Sequence, residues 1–197
     1  MKFIMATNNA HKVIELSRIL LPLGIDVVSA KDAGITLDDV EETGTTFAEN
    51  AFLKANAAFI KTGMPAVADD SGLCVDALDG RPGIYSARYG GEGASDSEKN
   101  AKLLDELSDV DAENRTAHFT SAICCILEDG TRIDVEGRCN GKIAFEPHGN
   151  GGFGYDPIFM CGSRCYAELS AEEKDAVSHR GAALRKLKAE LEKRLEK

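Results

Sequence analysis

Ala66-Val67-Ala68-Asp69-Asp70-Ser71-Gly72-Leu73 constrains this chain more than any other stretch, because an apolar run is followed at once by two adjacent carboxylates. Val67 and its neighbours have the length and character of a short buried strand, and Asp-Asp-Ser-Gly has the composition of a turn that ends one. Strand ends are where α/β proteins bind ligands. Two carboxylates side by side repel, and a hard cation such as Mg2+ keeps both ionised while bridging to phosphate oxygens. An Asx-turn, in which the acids only cap backbone groups, uses the same letters. The rest of the chain decides between the two.

The N-terminus follows a similar plan. Phe3 to Ala6 is a short apolar run that meets Thr7-Asn8-Asn9, after which Val13, Ile14, Leu16, Ile19 and Leu20 recur at helical spacing. Thr7 or an asparagine can cap that helix, and its free N–H groups with Lys12 make an anion site. A lysine in a first turn opposes the helix dipole and asks for a negative partner. Ile25 to Val28 reads as the next strand. Glu41 and Glu42 then stand in a loop closed by Gly44, where nothing local needs two acids, so both are candidate metal ligands beside Asp69 and Asp70. Thr46-Phe47-Ala48-Glu49 is a capping box that opens a helix from Asn50 to Lys61 and gives Glu49 a structural task. Lys54, one turn inside, points either to solvent or to the same cavity.

Beyond the acidic stretch, Ser95-Asp96-Ser97 starts a helix through Leu103, Leu104 and Leu107. Arg115 to Leu127 and Thr131 to Arg138 read as strands joined by the turn Glu128-Asp129-Gly130, with Lys142 to Glu146 as a third strand. Gly149 to Pro157 packs Phe153, Tyr155 and Asp156 among glycines, so that Phe153 or Tyr155 can stack on a flat ligand and Asp156 can accept a ring N–H. A second capping box at Ser170 to Glu173 precedes Lys174. Ser178-His179-Arg180-Gly181 opens a last helix with an apolar stripe of Leu184, Leu187, Leu191 and Leu195. His179 and Arg180 repeat the puzzle of Lys12: cations in a first turn need an acid or a ligand opposite them.

Composition excludes several classes. A net charge of -10 argues against a groove for nucleic acid. No apolar run reaches the length of a signal sequence core or a membrane span, which places the protein in the cytoplasm and away from membranes. The six cysteines then read as reduced thiols, with Cys161 and Cys165 close enough in sequence to raise the question of a metal but lacking a second ligand pair.

Taken together, Thr7-Asn8-Asn9-Ala10-His11-Lys12, Glu41 to Ala51, Ala68-Asp69-Asp70-Ser71-Gly72-Leu73, Gly152 to Phe159 and Ser178-His179-Arg180 closely resemble the inosine/xanthosine triphosphate pyrophosphatase family, in the same order from residue 3 to about 190. The resemblance implies one α/β domain of two lobes over residues 1–197, with an elongated central mixed sheet flanked by helices, a nucleotide in the cleft, and a homodimer. It also implies Mg2+-dependent hydrolysis of ITP, dITP and XTP to the monophosphate and pyrophosphate, which cleanses the nucleotide pool. Carried over by residue, Thr7, Asn8, Asn9, Ala10, His11 and Lys12 grip phosphate, Glu41 and Asp70 hold the metal, and Asp70 is also the proton acceptor. Ser71 joins the substrate contacts. Phe153, Gly154, Tyr155 and Asp156 surround the base, and Lys174, His179 and Arg180 complete its recognition. Asp69 is the alternative to Asp70 for orienting the water. The competing readings are a nucleotide sensor without turnover and a related pyrophosphatase for modified pyrimidine nucleotides.

Overall fold

A computed structural model of the chain describes residues 1–37 and 40–195. The strands are β1 (Lys2–Met5), β2 (Asp26–Ser29), β3 (Ala66–Val75), β4 (Thr116–Ile126), β5 (Arg132–Ile143), β6 (Phe159–Cys161) and β7 (Arg164–Cys165). The helices are α1 (Ala10–Leu20), α2 (Phe47–Thr62), α3 (Asp96–Glu106), α4 (Ala171–Val177) and α5 (His179–Leu195). The strands form one mixed sheet in the order β2-β1-β3-β4-β5-β6-β7, parallel where β1 meets β2 and β3, antiparallel along β5-β6-β7. The chain divides into two compact units, the first of Met1–Asp70, Ser121–Gly137 and Arg180–Lys197, the second of Ser71–Thr120 and Arg138–His179.

Strand alternation organises the first unit. Odd-numbered Phe3, Met5, Val67, Ile123, Cys125 and Ile133 pack with Leu16 and Leu20 of α1 and with Leu184, Leu187 and Leu191 of α5. Even-numbered Ile4, Ala66, Ala68, Ala122, Cys124 and Ile126 pack instead with Ala51, Ala55 and Ala58 of α2. Each buried leucine on the first face contributes about 1.5–3 kcal/mol. The expected stripe on the last helix is therefore core, although the side chain of Leu195 lies outside the described residues.

The second unit gathers Leu73, Val75, Leu103, Leu107, Phe119, Tyr155, Phe159 and Tyr166. At its edge Arg115 is 2% exposed, and among the described residues no carboxylate pairs with it. Its guanidinium instead donates to the carbonyls of Leu107, Val110, Ile143 and Ala144 at 2.8–3.3 Å.

Two local expectations change, and the strand pairing answers the question raised by Cys161 and Cys165. Asp69-Asp70-Ser71-Gly72 is no turn, since β3 runs through it to Val75. Lys142 to Glu146 forms no strand of its own. β5 ends at Ile143, and Phe159–Cys161 pairs with it instead. Cys161 and Cys165 cannot share a metal, because Cys161 opposes Arg164 and Cys165 opposes Met160, which puts the two thiols on opposite faces of the β6-β7 pair. Among the described residues no helix is long and apolar enough to cross a membrane.

Candidate active site

α1 begins with its cap where the sequence places it. Asn9 Oδ1 accepts the backbone N–H groups of His11 and Lys12 at 3.0 and 3.4 Å, and the Asn9 N–H donates to Thr7 Oγ1 at 3.1 Å. Asn8, Ala10 and His11 are exposed around this turn. The Lys12 ammonium turns inward to Asp69 at 2.8 Å, so the negative partner that its position demands is a carboxylate of this chain.

Because β3 continues through the acids, consecutive side chains leave opposite faces of the sheet. Asp69 follows Val67 to the face of α1 and α5. There its Oδ2 accepts Arg180 Nε at 3.1 Å, while Arg180 Nη1 donates to Glu15 at 2.7 Å. Lys12, Asp69, Arg180 and Glu15 thus form a row of alternating charge whose two ends both stand on α1. Burial pushes the Asp69 carboxyl up, but Lys12 and Arg180 outweigh it and hold the group far below the usual carboxylate range. Burial lowers Lys12, with Asp69 opposing. It also works against Arg180, whose two acids keep it firmly charged.

Asp70 follows Ala68 to the α2 face. Its Oδ1 lies 2.9 Å from Lys54 Nζ, which also reaches Glu42 at 3.1 Å, and Asn50 Nδ2 donates to its Oδ2 at 3.4 Å. Burial raises the Asp70 pKa, with Lys54 as the opposing influence. Burial disfavours the charge on Lys54, but Asp70, Asp69 and Glu42 together raise its pKa. The expectation that one hard cation reconciles two neighbouring acids is thus corrected: Asp69 is neutralised by buried cations, and Asp70 stands apart as the more basic carboxylate. Glu42 reaches the Lys54–Asp70 pair, whereas Glu41 is exposed and its carbonyl accepts the Thr43 N–H at 3.0 Å. Among the described residues, no group of three or more His, Cys, Asp or Glu side chains gathers to hold a metal.

In the second unit the Gly149 to Pro157 loop is fixed by its own acid. Asp156 Oδ2 accepts the Phe153 N–H at 2.8 Å and Lys174 Nζ at 2.6 Å. Gly152, at φ 73°, admits no Cβ beside that carboxylate. Lys174 lies 4.7 Å from the centre of the Phe153 ring. Gly154 is tied to α3, its N–H donating to Asp96 at 2.6 Å and its carbonyl accepting from Asn100 at 3.1 Å. Tyr155 is core, with its hydroxyl donating to the Ser86 carbonyl at 2.8 Å, which leaves Phe153 as the half-buried aromatic of the loop. The buried His179 ring stacks on Phe119 at 4.5 Å and 10°. Ser71 is half-buried on β3.

Sequence reasoning left out Glu15, Asn50, Asp96 and Asn100. Only Glu15 carried a usable signal, since it lies three positions after Lys12 on the same helix face.

Fold and site define an α/β protein with an asparagine-capped helix start beside two carboxylates held on opposite faces of one strand. The Ham1 family profile matches residues 3–190. The dITP/XTP pyrophosphatase of Shigella flexneri is 52% identical over 190 residues, 94% of this chain and 95% of that one, and the protein of the same name from Streptomyces coelicolor is equally similar at 52%, covering 94% of each. Among solved structures, a HAM1 protein from Coxiella burnetii superposes with a TM-score of 0.89 at 41% identity, over 98% of this chain and 99% of that one. The Staphylococcus aureus Ham1 protein reaches 0.87 at 40% identity, over 98% and 100%. This chain belongs to the Ham1 family.

Proposed function

We propose that this protein is a pyrophosphatase for non-standard purine nucleoside triphosphates, cleaving ITP, dITP and XTP between the α and β phosphates to release the monophosphate and pyrophosphate. The observation that carries the reading is the separation of Asp69 from Asp70. One acid is spent on two buried cations beside the first turn of α1, and the other is left basic on the opposite face. The name shared by relatives about half identical to this chain supports the same reading.

Thr7, Asn8, Asn9, Ala10, His11 and Lys12 take the phosphates, the backbone N–H groups and the ammonium supplying the positive end. Asp70 orients the attacking water and accepts its proton. Asp69 is unsuited to that task, because two cations hold its charge. Lys54 already shows that Asp70 and Glu42 converge on a single cation, and hard carboxylate oxygens suit Mg2+, which needs only one or two of them beside phosphate oxygens and water. Asp70, with Glu42 or the neighbouring Glu41, would hold the ion. When bound, Mg2+ neutralises charge on the departing pyrophosphate.

The base end uses Phe153 as a stacking surface, with Gly154, Asp156, Ser71 and Lys174 around it. Tyr155 supports that loop from the core. His179 and Arg180 are the donors toward the 6-oxo group, and a guanidinium gripped by Asp69 and Glu15 has the fixed direction that such a donor needs. Adenine would meet those donors with an amino group, and a site left unpaired in this way rejects by roughly 10⁴-fold or more. The proposal includes a cytoplasmic homodimer working on free nucleotides, with each chain a single domain.

The test is pyrophosphate release from a panel of ITP, dITP, XTP, GTP, ATP and dTTP, with Mg2+ and with a chelator. The reading expects turnover of the first three, dependent on the metal. Binding without release would make the protein a sensor, and preference for a pyrimidine would assign it a different substrate.

A further inference from the structure

Two thiols in the second unit lie together with no part in the reading above. Cys139 on β5 and Cys161 on β6 have their sulfurs 3.6 Å apart, in van der Waals contact. Their strands pair antiparallel with Lys142 opposite Met160, and one more residue of that register sets Gly141 against Cys161. Gly141 puts no side chain between the strands at that point, and a Cβ there would clash with the Met160 carbonyl and lie 2.7 Å from the Phe159 ring. Cys139, two residues before Gly141 on the same face, is the diagonal neighbour that the Cys161 sulfur meets.

The two differ in access. Cys161 is partly exposed, whereas Cys139 is 7% exposed and its thiol is pushed up to about 11, chiefly by burial. Elsewhere the strands keep thiols apart: Cys124 and Cys125 are consecutive in β4 and leave opposite faces, and Cys165 faces away from Cys161.

We propose that Cys139 and Cys161 are a reversible disulfide-forming site, with Cys161 as the thiol that meets the oxidant and Cys139 as the one that resolves it. With a peroxide, the Cys161 sulfur takes one oxygen to give a sulfenic acid as the O–O bond breaks and water leaves. The Cys139 sulfur then attacks that sulfur, the S–O bond breaks, and a second water departs with the thiol proton. Two thiols lose two electrons in all, and one peroxide becomes two waters. The bridge would join the two strands that flank the Gly149 to Pro157 loop.

The test treats the full-length protein with hydrogen peroxide, counts thiols after denaturation, and maps linked peptides by mass spectrometry. The expected result is a fall from the six thiols of the chain to four, a Cys139–Cys161 peptide link, and full reversal by dithiothreitol. Cys139→Ser should halt at a Cys161 sulfenic acid trapped by dimedone, and Cys161→Ser should keep its remaining thiols under the same dose. Six surviving thiols, a link between any other pair, or equal peroxide sensitivity in Cys161→Ser would overturn the proposal.

Discussion

Replacing either acid of β3 with its amide separates two tasks that adjacent residues perform. Asp69→Asn removes the carboxylate that holds Lys12 at 2.8 Å and Arg180 at 3.1 Å, both in a buried setting. Removing one partner of a buried ion pair costs about 3–5 kcal/mol, because the partner charge stays buried without compensation. Arg180 keeps Glu15 at 2.7 Å, which favours the lower end, about 3 kcal/mol. In a chain of this size each kcal/mol lowers Tm by roughly 2–4 °C, so the expected fall is about 6–12 °C. Asp70→Asn differs in kind. Lys54 retains Glu42 at 3.1 Å, and burial already disfavours the ionised Asp70 carboxyl, so a neutral amide should cost under about 1 kcal/mol. Turnover should nevertheless fall by at least about 100-fold, the low end for a lost general base. Thermal unfolding followed by circular dichroism, beside pyrophosphate release at saturating ITP, reads both quantities. Asp69→Asn melting within a degree of the parent, or Asp70→Asn keeping half its rate, would refute the division of labour. Acid supplies a further check. Asp69 is held below its unfolded value of 3.8, so its contribution is present above that pH and lost as pH falls below it. Asp69→Asn should flatten the acid limb of the stability curve.

Arg115→Lys keeps the charge but gives up the planar fork that serves four carbonyls, and should lower stability by about 2–4 kcal/mol in denaturant melts with little change in KM for ITP. Gly152→Ala brings a Cβ against the Asp156 carboxylate at a left-handed φ of 73°, and should raise KM for ITP more than it lowers kcat, because the Phe153 turn and Lys174 lose their common acceptor. Burial pushes the Cys124 and Cys125 thiols up to about 12 from 9.0, so the folded chain keeps protons that the unfolded chain sheds and stability declines between those pH values. That decline should be shallower in the Cys124→Ala/Cys125→Ala double variant, as measured by urea midpoints across the range.

Much of the local structure was legible because its causes are local. Thr46 with Glu49, and Ser170 with Glu173, are capping boxes whose partners lie three positions apart, and both form as read. The helical stripe of α5 needed only its own spacing to declare a buried face. The demand of Lys12 and Arg180 for negative partners also followed from the dipole of the turn in which each stands.

Which partners answered that demand was not legible, since Arg180 meets Asp69 across 111 positions and Glu15 across 165. Asp-Asp-Ser-Gly has the letters of a turn, yet β3 runs extended through it between β1 and β4, with both acids buried against cations from three helices. Once it is a strand, alternation sends Asp69 and Asp70 to opposite faces and so gives them different charges to answer. Tyr155 and Phe153 read alike in the sequence, yet one enters the core through Ser86 and the other does not. The chain alone thus determined the helices, their caps and the presence of charges awaiting partners, because those depend on neighbours a turn away. The tertiary structure decided which acid is committed to the framework and which stays basic, because a carboxylate's charge depends on how deeply it is buried and on cations brought to it from distant parts of the chain.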